Sequence, residues 1–160
     1  MDLPPFQELL DAHAAALHRF CVAQAGPHAG PDCFQETVLS ALRAYPELSD
    51  ASSLRGWLFT IAHRKVIDHH RASSRRAVPV GAAPDPASSV ATAELGEPAL
   101  DGDVWSAVAR LPDKQRGAIA LRYLGDLPYA EIAAALGCSE AAARQNVRAG
   151  LASLRAEVTR

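Results

Sequence analysis

The sequence predicts an all-α chain of two small helical domains joined by a flexible linker. A three-helix-type unit is expected over residues 1–76 and a helix-turn-helix unit over residues 101–160. Three observations predict this. Alanine supplies much of the 49% hydrophobic fraction, and aromatics reach only 6%, a balance that favours helices over sheets. Apolar residues recur at helical spacing on both sides of residues 77–100. That stretch, AVPVGAAPDPASSVATAELGEPAL, is rich in Pro, Gly, Ala and Ser without periodicity, the composition of an extended linker.

The first helix is expected from about Pro4 to Ala23, with Phe6, Leu9, Leu10, Leu17 and Phe20 as its apolar stripe. The run GPHAG breaks it. A second helix starts at Pro31, a good first helical residue, and ends near Tyr45-Pro46. Asp32 and Glu36 in its opening turns suit the positive end of the helix dipole. The third follows the cap-like pair Ser52-Ser53 and runs from Leu54 to about Arg75. Its apolar stripe reads Leu54, Trp57, Leu58 and Ile61. In the second unit, helices are expected at 103–110, 112–124, 128–136 and 139–157. Pro112 and Pro128 mark starts, and Gly125 and Gly137 mark left-handed ends. The expected units share few contacts.

Charge is distributed unevenly. The net charge is −2, yet residues 55–76 carry Arg55, Arg64, Lys65, Arg71, Arg75 and Arg76 against Asp68 alone. Residues 1–54 sum to −5 and the linker to −3. A compact basic block in a neutral chain is the footprint of a nucleic-acid surface. Cys21, Cys33 and Cys138 have neither disulfide nor zinc spacing, and reduced thiols suit a cytosol. No apolar run is long enough to span a membrane and no signal pattern opens the chain. A cytoplasmic protein without membrane insertion is expected.

Residues 128–155 read helix, glycine turn, helix. Ser139 can cap the second helix. Ala143, Val147, Gly150, Leu151, Leu154 and Val158 form its buried stripe, and Arg144, Gln145, Arg148 and Arg155 lie outward. A helix-turn-helix needs this division: an apolar back holds the reader rigid while polar side chains face the major groove. Arg reads guanine and Gln reads adenine, and either can hold phosphate. Small Ala133 and Ala134 permit close helix crossing, which a mere solvated helical hairpin does not require.

In the basic helix one row carries Arg64, Asp68, Arg71 and Arg75, and a neighbouring row carries Lys65, His69 and Arg76. Asp68 can pair with Arg64 and Arg71 and hold those forks. Cations beside aromatic and imidazole rings suit a phosphate backbone and unstacked bases; a solvated cationic helix end is the plainer alternative. Asp68-His69-His70 also matches a tripeptide of metal-dependent phosphoesterases. Consecutive helical residues point about 100° apart, and the further acidic clusters such metals need are absent. No Gly-rich phosphate loop, nucleophile elbow or carboxylate pair is present. No enzyme activity, metal or cofactor is expected.

The two halves together resemble the extracytoplasmic-function sigma factors of bacterial RNA polymerase. The family's D-x-x-Q-E-T-x-L segment corresponds to Asp32, Gln35, Glu36, Thr37 and Leu39. Its R-x-W-L-F-x-I-A segment followed by D-x-x-R corresponds to Arg55, Trp57, Leu58, Phe59, Ile61, Ala62, Asp68 and Arg71. Its L-P-x-x-x-R and L-R-Y segments correspond to Leu111, Pro112, Arg116, Leu121, Arg122 and Tyr123. The ordered set spans nearly the whole chain. It departs from the family at His63-Arg64, where Arg-Asn is frequent, and at Leu42, where Trp is usual. Asn146, Ala149, Gly150 and Leu151 replace most cations near the recognition-helix end.

The resemblance implies roles. Asp32, Gln35, Glu36 and Leu39 would dock on the clamp helices of the β′ subunit of core RNA polymerase. The basic helix, with Arg64, Lys65, Asp68, His69, Arg71, Arg75 and Arg76, would read and melt the downstream promoter element. Arg144, Gln145, Asn146 and Arg148 would read the upstream element, on a domain that also sits at the β flap. The acidic linker would thread toward the RNA exit path. Partners are then core polymerase and promoter DNA, with an anti-sigma factor as a third that many family members have. The rival readings are a helix-turn-helix regulator acting without polymerase and, remotely, a metal-dependent phosphoesterase.

Overall fold

The computed structural model describes residues 3–76 and 102–159. Every regular element among them is helical. The first, α1, runs Phe6–Ala44 but is interrupted at Gly26, whose φ of 90° and ψ of 169° lie outside the helical region. Gly26 precedes Pro27, which disfavours helical geometry in the residue before it, and glycine accepts the positive φ without strain. The helix resumes at Pro27, four residues before the expected Pro31, so Pro31 lies inside the second limb. The limbs meet closely: a Cβ on Gly30 would lie 2.5 Å from the Val22 Cα. The second limb closes in a 3-10 turn over Tyr45–Glu47.

Helix α2 spans Leu54–Arg76. The Gly56 N–H donates to Ser53 Oγ at 3.1 Å, so Ser53 caps it as the sequence suggests. The expected stripe is real but incomplete. Leu58, Leu54, Trp57 and Ile61 pack with Leu9, Ala41, Tyr45 and Phe6 in a satellite cluster. Tyr45 ties that cluster together through its hydroxyl bond to the Pro4 carbonyl and its ring contacts with Phe6 and Trp57. A second face of α2, with Phe59, Ala62 and Val66, enters the main core.

The C-terminal unit holds α3 (Gly102–Ala109), α4 (Asp113–Tyr123), α5 (Tyr129–Leu136) and α6 (Glu140–Val158). Pro112 and Pro128 are N-cap residues, one position outside the helices they start. Gly137 is left-handed, with φ 69° and ψ 39°. Gly125 is not; the positive φ falls on Asp126, at 52°. Gly125 meets a steric demand instead, because a Cβ there would lie 2.7 Å from the Leu121 carbonyl oxygen and 3.3 Å from Phe59.

The expectation of few contacts between the two units is wrong. Leu17, Phe20, Cys21, Phe59, Ala62 and Val66 share one core with Ala118, Leu121, Leu127, Ile132 and Ala133. Arg55 fastens the edge of this contact. Its Nε donates to the Gly125 carbonyl at 2.5 Å, and its Nη1 bonds His13 Nδ1 at 2.9 Å. The linker expected over 77–100 lies outside the described residues.

Candidate nucleic-acid interface

The turn between α5 and α6 is built from backbone geometry. Left-handed Gly137 lets the Cys138 N–H reach the Ala133 carbonyl at 3.0 Å, closing α5. Ser139 Oγ then accepts from the Ala142 N–H at 3.0 Å and caps α6. Ala143, Val147 and Gly150 are buried along the back of α6. A Cβ on Gly150 would lie 2.4 Å from Ile119 Cδ1, so α4 and α6 cross closely there. Leu151 and Leu154 are only partly buried, and Val158, expected in the stripe, is 77% exposed. The last turn of α6 runs past the end of its supporting core.

This backing leaves Arg144, Gln145 and Arg148 exposed on one side of α6, with Asn146 half-buried at its margin. Arg144 Nη2 lies 3.8 Å from Glu140 Oε1. Its Cζ also sits 5.1 Å from the centre of the Tyr129 ring, which Arg122 approaches to 4.6 Å. Arg122 is itself held by the Leu127 carbonyl at 3.0 Å. Sequence reasoning passed over Tyr129 and met Arg122 only as part of the L-R-Y segment, since separations of 15 and 7 residues across two turns carry no periodic signal.

On α2, Arg64, Asp68, Arg71 and Arg75 are all exposed, and Lys65 and His69 are half-buried beside them. Arg76 ends the helix, and its side chain lies outside the described residues. Among the described residues no ion pair joins Asp68 to Arg64 or Arg71, so the expected clamp on those forks is not formed. The neighbouring histidines turn inward. His70 Nε2 donates to the Gln24 carbonyl at 3.0 Å. His63 is 7% exposed and packs on Gly117, where a Cβ would meet its ring at 2.8 Å. Burial, then the Arg116 and Arg64 charges, push its pKa down to about 4, against a smaller opposing pull from Asp113. Asp113 is paired with Arg116 at 2.7 Å. Beside this contact a cleft of about 950 Å³ opens between α2 and α4, where Arg71 and Arg75 are joined by Lys114. Lys114 was also missed, because only the packing of the two units places it beside α2.

Asp32, Gln35, Glu36 and Leu39 share one exposed face of the second limb of α1. Leu39 and Leu42 are 51% and 50% exposed there. Cys33, Thr37 and Ala41, at four-residue spacing on the other side, are buried. The three cysteines are free. Burial raises Cys33 to about 11 and Cys21 to about 12, so neither offers a thiolate. Among the described residues no group of three His, Cys, Asp or Glu side chains could hold a metal ion, and no helix is long and apolar enough to cross a membrane.

Comparison with known proteins agrees with this geometry. Residues 9–76 match Sigma-70 region 2 and residues 101–154 match Sigma-70, region 4. The chain is 36% identical over 130 residues to the ECF RNA polymerase sigma factor SigK of Mycobacterium tuberculosis H37Rv, covering 76% of this chain and 67% of SigK. It is 36% identical over 128 residues to SigC of the same species, covering 72% of this chain and 63% of SigC. The fold matches the sigma factor RpoE in its complex with the anti-sigma factor NepR from Bartonella quintana. There the TM-score is 0.77 at 23% identity, covering 96% of both chains. It also matches CnrH in complex with the cytosolic domain of CnrY, with a TM-score of 0.70 at 24% identity over 96% of this chain and 87% of that one. The two regions define a sigma factor. The chain belongs to the ECF RNA polymerase sigma factors, which bind core RNA polymerase and direct promoter recognition, DNA melting and transcription initiation.

Proposed function

We propose that this sigma factor divides its work between its two units, 1–76 and 101–160, joined by the segment 77–100. Arg144, Gln145, Asn146 and Arg148 read the upstream element from the major groove. Arg64, Lys65, Asp68, His69, Arg71, Arg75 and Arg76 capture the downstream element once its bases leave the stack. Asp32, Gln35, Glu36 and Leu39 dock on the β′ clamp helices, the helix-turn-helix unit rests at the β flap, and the acidic linker follows the RNA exit path. The observation that carries this reading is the α6 face. Three exposed polar readers stand on a helix whose back is fixed by buried Ala143, Val147 and Gly150, the geometry a major-groove reader requires. The chain performs no chemistry of its own and works in the bacterial cytoplasm. An anti-sigma protein, the kind of partner named for the structural relative RpoE, is a further proposed partner.

The polymerase-independent regulator is not retained, because residues 9–76 form a sigma region 2 and not a ligand-binding or phosphoacceptor domain. The phosphoesterase reading also falls: Asp68 faces solvent while His70 bonds the Gln24 carbonyl. Core polymerase supplied with a library of genomic fragments tests the proposal. Discrete transcription starts are expected only when the chain is added. Equal selectivity for the same fragments by the chain alone, with no new starts, would contradict it.

A further inference from the structure

We propose that Tyr129 is a positioning residue for DNA readout: its ring holds the Arg144 guanidinium in place before DNA arrives. The inference rests on Arg144 being a base reader. Arginine carries large rotamer freedom, and an exposed arginine must lose it on binding a base edge. Here that freedom is already restricted. Arg144 Cζ lies 5.1 Å from the Tyr129 ring centre, a distance at which a cation is attracted to the ring. A ring contact has a particular advantage over hydrogen bonds, because it leaves the guanidinium N–H donors free for guanine or phosphate. Among the described residues the one competitor for those donors is Glu140, at 3.8 Å and half exposed, which makes a weak pair.

Tyr129 is itself fixed. It opens α5 directly after the N-cap Pro128, it packs against the main core, and it lies 4.6 Å from Arg122, which the Leu127 carbonyl anchors. Carbonyl, Arg122, Tyr129 and Arg144 thus form a chain from the α4–α5 turn to the outward face of α6. The recognition helix has few other cations, so the pose of Arg144 bears on selectivity more than it would in a densely basic helix.

The test uses holoenzyme assembled from the full chain and core polymerase, selecting from a randomised duplex library. Tyr129→Leu should lower the preference at the base pair read by Arg144 by roughly two- to tenfold, the range of a lost cation–π contact. Affinity for non-specific duplex should stay unchanged. Tyr129→Phe keeps the ring and should keep the wild-type preference. Tyr129→Met repeats the comparison should leucine lower the melting temperature. In an Arg144→Ala background, Tyr129→Leu should add nothing. Unchanged preference in Tyr129→Leu, or an equal loss with and without Arg144, would overturn the positioning role. Unchanged preference in Arg144→Ala alone would instead remove Arg144 as a reader, and this inference with it.

Discussion

Arg144 and Arg148 sit one turn apart on α6, yet their surroundings differ. Arg144 is flanked by Glu140 and Tyr129, whereas Arg148 is exposed with no partner among the described residues. An unrestrained exposed arginine suits the phosphate backbone, which asks for charge more than direction. Arg148→Ala should therefore weaken binding evenly across sequences and lower the slope of log affinity against log salt by about 1. A salt titration on cognate and scrambled duplexes checks this. A sequence-dependent loss with the slope unchanged would make Arg148 a base reader. The identity of these side chains was legible in the sequence because a helical wheel places them outward. The Tyr129 contact was not, because it joins separate helices through a turn.

Helix ends and capping residues were largely readable from local chemistry. Ser53 and Ser139 cap as expected, Gly137 is left-handed, and Gly26 falls within the predicted break. Errors arose where a residue met a tertiary demand. Gly125 was read as a left-handed terminator, but it is shaped by the approach of Leu121 and Phe59. Helix α2 was read with one apolar stripe, but it buries two, one toward α1 and one toward α4 and α5. Interleaved Arg64, Lys65 and His63 hid the second stripe, since a helix packed on two sides loses the simple amphipathic pattern. The exposed face of α1 invites a separate test. Glu36→Lys with Leu39→Ala reverses a charge and trims an apolar side chain at exposed positions that contribute nothing to the core. The fold and melting temperature should persist while affinity for core polymerase falls. Unchanged affinity would remove this face from the docking surface.

At the scale of the molecule, the two units pack through a shared core with His63 against α4. Any opening of that contact returns the His63 ring to water. Its pKa is about 4 in the packed state and ordinarily 6.5. The packed state thus holds His63 neutral, and the stability this confers is complete above pH 6.5. It declines as the pH falls from 6.5 toward 4, by up to about 1.4 kcal/mol per pH unit. Burial also lowers His13, His18 and His70, adding losses of the same sign. Urea unfolding at pH 7 and pH 5 should show a weaker protein at pH 5, and His63→Gln should reduce the difference. An equal difference in that variant would place the titrating groups elsewhere. The packing itself was not legible in the sequence. The expected linker and the small size of each unit suggested independence, but the alanines of α4 and α5 supply flat surfaces that fit α1 and α2 closely.

The division of labour proposed for α2 and α6 is tested most directly by promoter opening on two templates. Duplex and pre-melted forms of one promoter are transcribed by holoenzyme carrying Arg64→Ala, Arg71→Ala or Arg144→Ala. On the proposed reading the α2 variants lack cations that capture unstacked bases, so the pre-melted template should restore their transcription. On the same reading Arg144→Ala lacks a contact to duplex DNA, and melting the downstream element should leave its defect in place. Equal rescue of all three variants, or rescue of none, would contradict the division.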